Sequence, residues 1–385
     1  MPAWLAGRMA RLGRVIVEAL TLEYGRDEVL RRLADPFWFQ SFGAVMGMDW
    51  HSSGITTSVL GALKRGLAPV ADELGLYVCG GRGRHSRRTP DELTTLGERR
   101  GLDAAGLVRA SRLVAKVDSA AVQDGFALYL HGFVVTDEGR WVVVQQGMNA
   151  ERRQARRYHW IWDRARSFVD EPHAAIDGQP GDPIVNLTDR RAGAARDTTL
   201  AIGTGGPHLI LPARHDVRAA DIDLPRLGRT LAAVAERGPR DFADLLLVPG
   251  VGARTLFALA LVAEVVHGVP SRFADPARFS LAHGGKDGHP FPVPLRVYDQ
   301  TLRVLKDAVT RAKLGQDERL AALRRLDEQA RRADDAQSPT AADLARWVAA
   351  ERADGATLGA RQVGAPSRVK AARPSGQPRQ MKLPF

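Results

Sequence analysis

Apolar residues recur at intervals of three and four over most of the chain, which is the spacing of an amphipathic helix. The first predicted helix spans residues 4–35 and ends at the Asp35-Pro36 pair, because the residue before a proline disfavours helical geometry. Two further helices are predicted over residues 53–67 and 98–116. The N-terminal half of the chain is therefore predicted to be rich in helix.

Two stretches show instead the aromatic and β-branched residues that are typical of strands. They cover residues 126–136 and 140–146 and flank Asp137-Glu138-Gly139, so the pattern predicts a β-hairpin. A shorter strand is predicted at residues 76–79. Helices together with a hairpin or small sheet predict an α+β domain over residues 1–215, the better candidate for a catalytic domain.

The pattern changes in the C-terminal part of the chain. Residues 216–353 are helical in pattern throughout and predict a separate all-α domain. Residues 354–385 lose this periodicity and gain glycine, proline, serine and arginine. Such a composition buries too little apolar surface to fold, so we expect a disordered basic tail.

The most informative local pattern lies within the predicted all-α domain, at residues 241–267. Two apolar helical segments are joined there by Pro249-Gly250-Val251-Gly252, which is too short for anything but a tight hairpin. Gly250 can take the positive φ of such a turn, and Gly252 lets the backbone approach a ligand. With Arg254 and Thr255 beside them, the N–H groups that open the second helix suit a phosphate. The pattern predicts a helix-hairpin-helix that binds DNA; an ordinary helical hairpin is the alternative.

Composition and charge narrow the class of protein. The chain of 385 residues has a formal net charge of +11, which is compatible with a polyanionic partner. Its single cysteine, Cys79, excludes an intramolecular disulfide and a four-cysteine metal cluster. No run of 18 apolar residues and no secretory signal pattern is present. We therefore expect a cytoplasmic, nucleoid-associated protein that does not enter a membrane and could form a homo-oligomer.

Polar residues around the predicted β-hairpin suggest a metal site. Asp124 precedes its first strand, and Gln145 and Gln146 end its second, so the hairpin would bring the three to one end. Carboxylate and amide oxygens suit Mg²⁺ or Mn²⁺ in a nuclease. Asp49 is a further candidate ligand, and His51 or His159 a candidate general base. A turn, a strand cap and a helix cap are the structural alternatives for these residues.

Two basic segments are further candidates for phosphate contacts. Arg156 and Arg157 are adjacent and could hold phosphate beside the predicted metal site. The loop Gly80-Gly81-Arg82-Gly83-Arg84 could embrace a phosphate as well. This loop lacks the Gly-Lys-Ser/Thr ending of a nucleotide-binding P-loop, so the sequence gives no support for ATP use.

Several blocks occur together along residues 1–330 and carry a family resemblance. They are Phe37-Trp38-Phe39-Gln40, Met48-Asp49-Trp50-His51-Ser52-Ser53-Gly54, Gln123-Asp124-Gly125, Gln145-Gln146-Gly147-Met148-Asn149, Ala155-Arg156-Arg157-Tyr158-His159-Trp160 and Ala282-His283-Gly284-Gly285-Lys286-Asp287-Gly288. The chain resembles the bacterial and archaeal domain-of-unknown-function family seven-six-three. The resemblance implies a recurring pairing of an α+β domain with a helix-hairpin-helix and a role in DNA processing.

Three functions remain open from the sequence. The leading one is a metal-dependent nuclease that holds DNA through the helix-hairpin-helix. A non-catalytic DNA-binding adaptor is the second. The third is a helix-hairpin-helix DNA glycosylase using Asp275, which follows the second helix as the catalytic aspartate does in such enzymes.

The extreme C-terminus carries one more pattern. Residues 380–385 match the form of a bacterial sliding-clamp-binding peptide, with Gln380, Leu383 and Phe385 at its key positions. A short-peptide pocket would bury the two apolar side chains while the glutamine fixes the register. The pattern predicts a sliding clamp as a second partner; a chance match is the alternative.

Overall fold

The computed structural model describes residues 3–48, 52–205 and 224–277, and a few residues between 303 and 324. All of them belong to one compact unit, residues 1–330. The domain boundary predicted at residue 215 therefore falls inside this unit. Residues 331–385 form the second unit, which lies outside the described residues together with the predicted tail and its clamp-binding pattern.

A five-stranded antiparallel sheet forms the centre of the first unit. The strands pair in chain order, from β1 at one edge to β5 at the other. They are β1 (Leu76–Arg82), β2 (Ala127–Thr136), β3 (Trp141–Asn149), β4 (Gln154–Ile161) and β5 (Ala175–Asp177). The predicted hairpin is confirmed as β2 and β3, with Trp141 paired to Val135 next to the turn. The structure is thus a mixed α and β fold, as the sequence predicts.

Helices α1 to α4 cover one face of the sheet. They are α1 (Ala3–Tyr24), α2 (Arg26–Ala34), α3 (Pro36–Val45) and α4 (Ile55–Leu67). The single helix predicted over residues 4–35 is two helices, because Gly25 takes a φ of 82° between them. Asp35 ends α2 and also begins α3, where its carboxylate accepts the N–H of Trp38 at 2.7 Å. Apolar residues of this layer share a core with Val134, Val142 and Val144 of the sheet.

A second set of helices covers the opposite face. The buried residues of this layer come from α7 to α12. The helices of the set are α5 (Ala71–Leu74), α6 (Arg84–Arg87), α7 (Thr89–Arg100), α8 (Ala104–Lys116), α9 (Gly193–Thr204), α10 (Leu224–Arg237), α11 (Phe242–Leu247) and α12 (Ala253–His267). The helix predicted over 98–116 is divided at Gly101, where φ is 70°. A π-helical segment, Val117–Ala121, extends α8, and a two-stranded pair joins β6 (Ile184–Val185) to β7 (Arg272–Phe273).

The helices after residue 224 are part of the same core as the sheet. Leu245, Val251 and Leu256 of α11, its following turn and α12 pack in one buried cluster with Phe133 and Trp160 of the strands. The described part of the predicted all-α domain therefore does not stand apart, because its apolar face is covered by the sheet layer. Within the described residues, none of the helices combines the length and the hydrophobicity needed to cross a membrane.

Candidate functional site

The turn between α11 and α12 presents the start of α12 to solvent. Gly250 takes a φ of 91°, and the N-cap residue Gly252 is extended, with a φ of −151°. No side chain caps α12, and a Cβ added to Gly252 would meet no heavy atom within 4 Å. Pro249 and Arg254 are exposed. The start of α12 is therefore uncapped by any side chain, and open space lies at Gly252 beside the exposed Arg254.

Two side chains from the sheet side hold this turn in place. The ammonium group of Lys116, the last residue of α8, donates to the Val251 carbonyl at 2.6 Å. The Gln123 amide donates to the Ala253 carbonyl at 2.9 Å. Both acceptors are backbone groups of the turn itself, so its shape is fixed by residues 130 or more positions away. Burial lowers the pKa of Lys116. The Thr255 hydroxyl lies 3.4 Å from the Gly250 carbonyl and thus faces the turn.

Asp124, the central residue of the predicted metal site, belongs to a buried ion-pair cluster. Its Oδ2 accepts from Arg156 at 2.9 Å and from the Tyr158 hydroxyl at 2.6 Å, while its Oδ1 accepts the Phe126 N–H. The other side of Arg156 forms two hydrogen bonds to Asp275 at 3.0 and 2.8 Å. Burial raises the pKa of Asp124, and Arg156 opposes that rise. The cluster therefore ties the segment after α12 to the start of the sheet.

A second buried network surrounds Gln145 on the same face of the sheet. Its Oε1 lies 2.6 Å from His131 Nδ1, and its amide donates to Asp118 at 2.5 Å. The other carboxylate oxygen of Asp118 lies 2.5 Å from His173. His131 Nε2 lies 3.0 Å from the Ser111 hydroxyl. A serine, a histidine and an amide in line resemble an activated nucleophile, but Ser111 is only 2% exposed.

Gln146 and His159 lie on the opposite face. Neighbouring residues of a strand alternate between faces, so Gln145 and Gln146 point apart. Gln146 accepts from the Tyr129 hydroxyl at 2.8 Å and donates to the Ser53 carbonyl. His159 donates from Nδ1 to the Leu33 carbonyl, which leaves Nε2 to accept from Arg157 at 2.9 Å. The expectation that these residues share one site with Asp124 is thereby corrected.

The predicted phosphate contact of Arg156 and Arg157 is corrected as well. Arg156 is 1% exposed and Arg157 3%, so neither reaches a solvent-borne phosphate. Arg157 pairs instead with Asp177 at 2.6 Å and lies over the ring of Phe39. Two adjacent arginines of β4 are thus buried on opposite faces, Arg156 between Asp124 and Asp275 and Arg157 beside Asp177. Their sequence alone resembles an exposed basic pair.

The donors of the predicted metal site do not fit a divalent cation. Both oxygens of Asp124 already accept hydrogen bonds, and the nearest charge is the Arg156 guanidinium. The Gln145 oxygen points to His131. Over the described ranges, no group of three His, Cys, Asp or Glu side chains is placed to hold a metal ion. Asp49, His51 and the tail residues Gln380, Leu383 and Phe385 lie outside the described residues.

Lys116 and Ser111 went unrecognised in the sequence, and Asp118 was noted only as one of the polar residues near the hairpin, without its partners. Asp118 lies in the π-helical segment after α8, a feature that often marks functional sites but has no simple sequence pattern. Lys116 gives no signal either, because its partner is a backbone carbonyl far along the chain. Polar residues inside apolar strands, such as His131 and Gln145, are the one available signal, since buried polar groups need partners.

The two buried histidines predict a dependence of stability on pH. Burial lowers the pKa of His131, and it lowers the pKa of His159 well below the usual value, with Arg157 adding to the effect. The unfolded chain therefore binds more protons than the folded one below about pH 6.5. The free energy of unfolding should be at its full value above this pH and fall as pH decreases, by up to about 1.4 kcal/mol per pH unit for each histidine.

Urea unfolding of the full chain between pH 8 and 5 measures this dependence. The variant His159→Phe, which keeps a ring in the Leu33 and Phe39 environment, should show a shallower decline than the wild type whatever its absolute stability. A decline of equal slope in both proteins contradicts the assignment.

Comparison with known proteins connects this fold to a family. A family model described as "Protein of unknown function (DUF763)" matches residues 1–293. The chain belongs to the DUF763 family. No curated protein and no solved structure matches the chain. The family match spans the sheet, both helical layers and the α11–α12 turn, so these are parts of the DUF763 unit itself.

Proposed function

We propose that this DUF763 protein binds DNA by gripping the phosphate backbone with the turn between α11 and α12. The observation that carries the proposal is the exposed, uncapped start of α12 next to Arg254. Two helices joined by a short turn with glycines at positions 250 and 252 support the helix-hairpin-helix interpretation. The net charge of +11 supports a polyanionic partner.

The turn suits a phosphate for three reasons. The N–H groups of Ala253, Arg254 and Thr255 are the first-turn donors of α12, since the first intrahelical bond runs from Leu256 to Gly252. The helix dipole favours an anion at this end. Gly252 has no side chain to keep a phosphate away. Such contacts do not read base identity, so binding should be independent of sequence.

A rigid turn binds a phosphate better than a mobile one, because less conformational entropy is lost on binding. Lys116 and Gln123 supply this rigidity by fixing the carbonyl groups of Val251 and Ala253. Leu256 and Val251 anchor the same turn in the core shared with the sheet. The fold therefore presents the donors in a preformed arrangement.

The geometry favours the adaptor among the functions considered. Asp124 and Gln145, two of the metal ligands proposed for a nuclease, are engaged in hydrogen bonds, so a Mg²⁺- or Mn²⁺-dependent nuclease stays a prediction without a fitting set among the described residues. Asp275, the glycosylase candidate, accepts from Arg156 and from the N–H groups of Gly181 and Ala277. A sliding clamp, a homo-oligomer and a nucleoid location also stay predictions.

The test of this function is a binding titration with the full chain and fluorescently labelled duplex, single-stranded and flapped DNA. We expect binding to DNA of unrelated sequences, with an association constant that falls linearly on a log–log plot against salt. Parallel incubations with magnesium, manganese or a chelator distinguish the adaptor from a nuclease and a glycosylase. Cutting that needs metal would favour a nuclease, and abasic sites formed without metal a glycosylase. Absence of binding to every DNA contradicts the proposal.

A further inference from the structure

The end of the sheet that carries the α11–α12 turn also carries a second basic feature. Gln123, which braces the turn, precedes β2, and Arg82 at the end of β1 pairs with Leu130 near the start of β2. Ser53, just before α4, accepts from Gln146 near the end of β3. Arg82, the start of α4 and the turn therefore all lie at the end of the sheet where β2 begins.

A cavity of about 280 Å³ opens between α4 and Arg82 at this end. Besides two alanines, its lining consists of Gly54, Thr57, Ser58, Gly61, Arg65 and Arg82. The lining thus has two guanidinium groups, two hydroxyl groups and no carboxylate. Arginine forks and hydroxyl donors are the groups that bind phosphate oxygens.

Both arginines are held near the cavity without being neutralised. The Arg82 guanidinium lies over the Tyr129 ring at 5.8 Å, which orients it but leaves its charge. Among the described residues, no carboxylate lies within ion-pair distance of Arg65 or Arg82. At the opposite end of the sheet, by contrast, Arg26 and Arg140 are paired with Asp137 and Glu138. At the cavity, the described part of the chain offers Arg65 and Arg82 no such carboxylate partner.

Three more arginines follow Arg82 in the chain. Arg84, Arg87 and Arg88 are exposed, and Gly83 takes a φ of 61° that turns the chain at the edge of the sheet. Arg82 belongs to the loop Gly80-Gly81-Arg82-Gly83-Arg84, a phosphate-binding candidate in the sequence, and is the residue of that loop that lines the cavity.

We propose that the cavity between α4 and Arg82 is a second nucleic-acid site, which receives a backbone phosphate of the strand held by the α11–α12 turn. The cavity and the turn lie on opposite faces of the sheet at one end, so a nucleic acid that crosses this end meets both. The proposal rests on the proposed function. It adds a second phosphate contact and says that the nucleic acid crosses the end of the sheet where β2 begins. Two separated phosphate contacts bind one polymer more tightly than either does, because the second contact is intramolecular.

The experiment measures the affinity of labelled duplex DNA against salt for the full-length chain and four variants. The double variant Arg65→Ala/Arg82→Ala should weaken binding about tenfold and reduce the steepness of the salt dependence by about 1, for the one phosphate contact that is lost. Arg166→Ala removes an exposed arginine beyond the end of β4, at the opposite end of the sheet, and should leave both quantities unchanged. Gly252→Asp and the combination of all three substitutions complete the set.

The outcomes separate the two sites. If Gly252→Asp weakens DNA binding and the double arginine variant does not, the cavity proposal is overturned and the turn is supported as the DNA contact. Weakening by the arginine variant alone supports the cavity and overturns the turn. Calorimetry with inorganic phosphate adds one arm. Saturable phosphate binding that the arginine variant loses, with its DNA affinity unchanged, would assign the cavity to a small phosphate compound and overturn the nucleic-acid site.

Discussion

Replacing Arg156 by methionine is expected to lower the free energy of unfolding by about 3–5 kcal/mol. Arg156 is the positive charge between Asp124 and Asp275, and all three side chains are at most 3% exposed. Removing it leaves two carboxylates buried without a counter-ion. Methionine fills much of the same volume, so the loss reports the charge rather than a cavity.

Urea unfolding of the full chain at pH 7 measures this loss. Arg156→Lys keeps the charge but lacks the planar guanidinium fork that contacts Asp275 and Asp124 together, so it should lose less stability than Arg156→Met. Arg152→Met changes an exposed arginine of the β3–β4 turn and should stay within about 0.5 kcal/mol of the wild type. If Arg156→Met unfolds like Arg152→Met, the cluster does not hold the fold together.

The cluster also bears on how far sequence reasoning reaches. The hairpin of β2 and β3 was predictable, because alternation and a glycine turn are local signals. β4 was not predicted: its residues include two arginines and a histidine, which do not resemble a buried strand until Asp124, Asp177 and Asp275 are known to neutralise them. These partners lie 20, 32 and 119 positions away from the arginines that they neutralise, and no local pattern contains them.

In the candidate site, too, some features could be predicted from local sequence and others could not. The turn of Gly250 and Gly252 could be predicted, since its glycines report a local backbone requirement. Gln145 and Gln146 could not be placed without the register, because adjacent strand residues face opposite layers. Residue 215 lies outside the described residues, and the boundary expected there stays a prediction, because helical periodicity shows that a face is apolar but not which element covers it.

Gly252→Asp should weaken DNA binding by about tenfold to a hundredfold, through two effects of one carboxylate. The new charge repels a phosphate at close range, and as an N-cap the aspartate accepts hydrogen bonds from the N–H groups that the phosphate would use. The same capping favours α12, and open space surrounds the position, so the variant should be at least as stable as the wild type. Loss of binding therefore cannot be attributed to unfolding.

The most direct measurement of the central claim is the DNA affinity of Gly252→Asp relative to Leu22→Asp, at one salt concentration and with full-length proteins. Leu22 is 86% exposed near the end of α1, so its substitution also adds one negative charge at a surface position, but away from the turn. We predict that Leu22→Asp binds labelled duplex DNA like the wild type, whereas Gly252→Asp binds at least about tenfold more weakly. Equal affinities of the two folded variants would contradict the claim that the α11–α12 turn grips the DNA backbone.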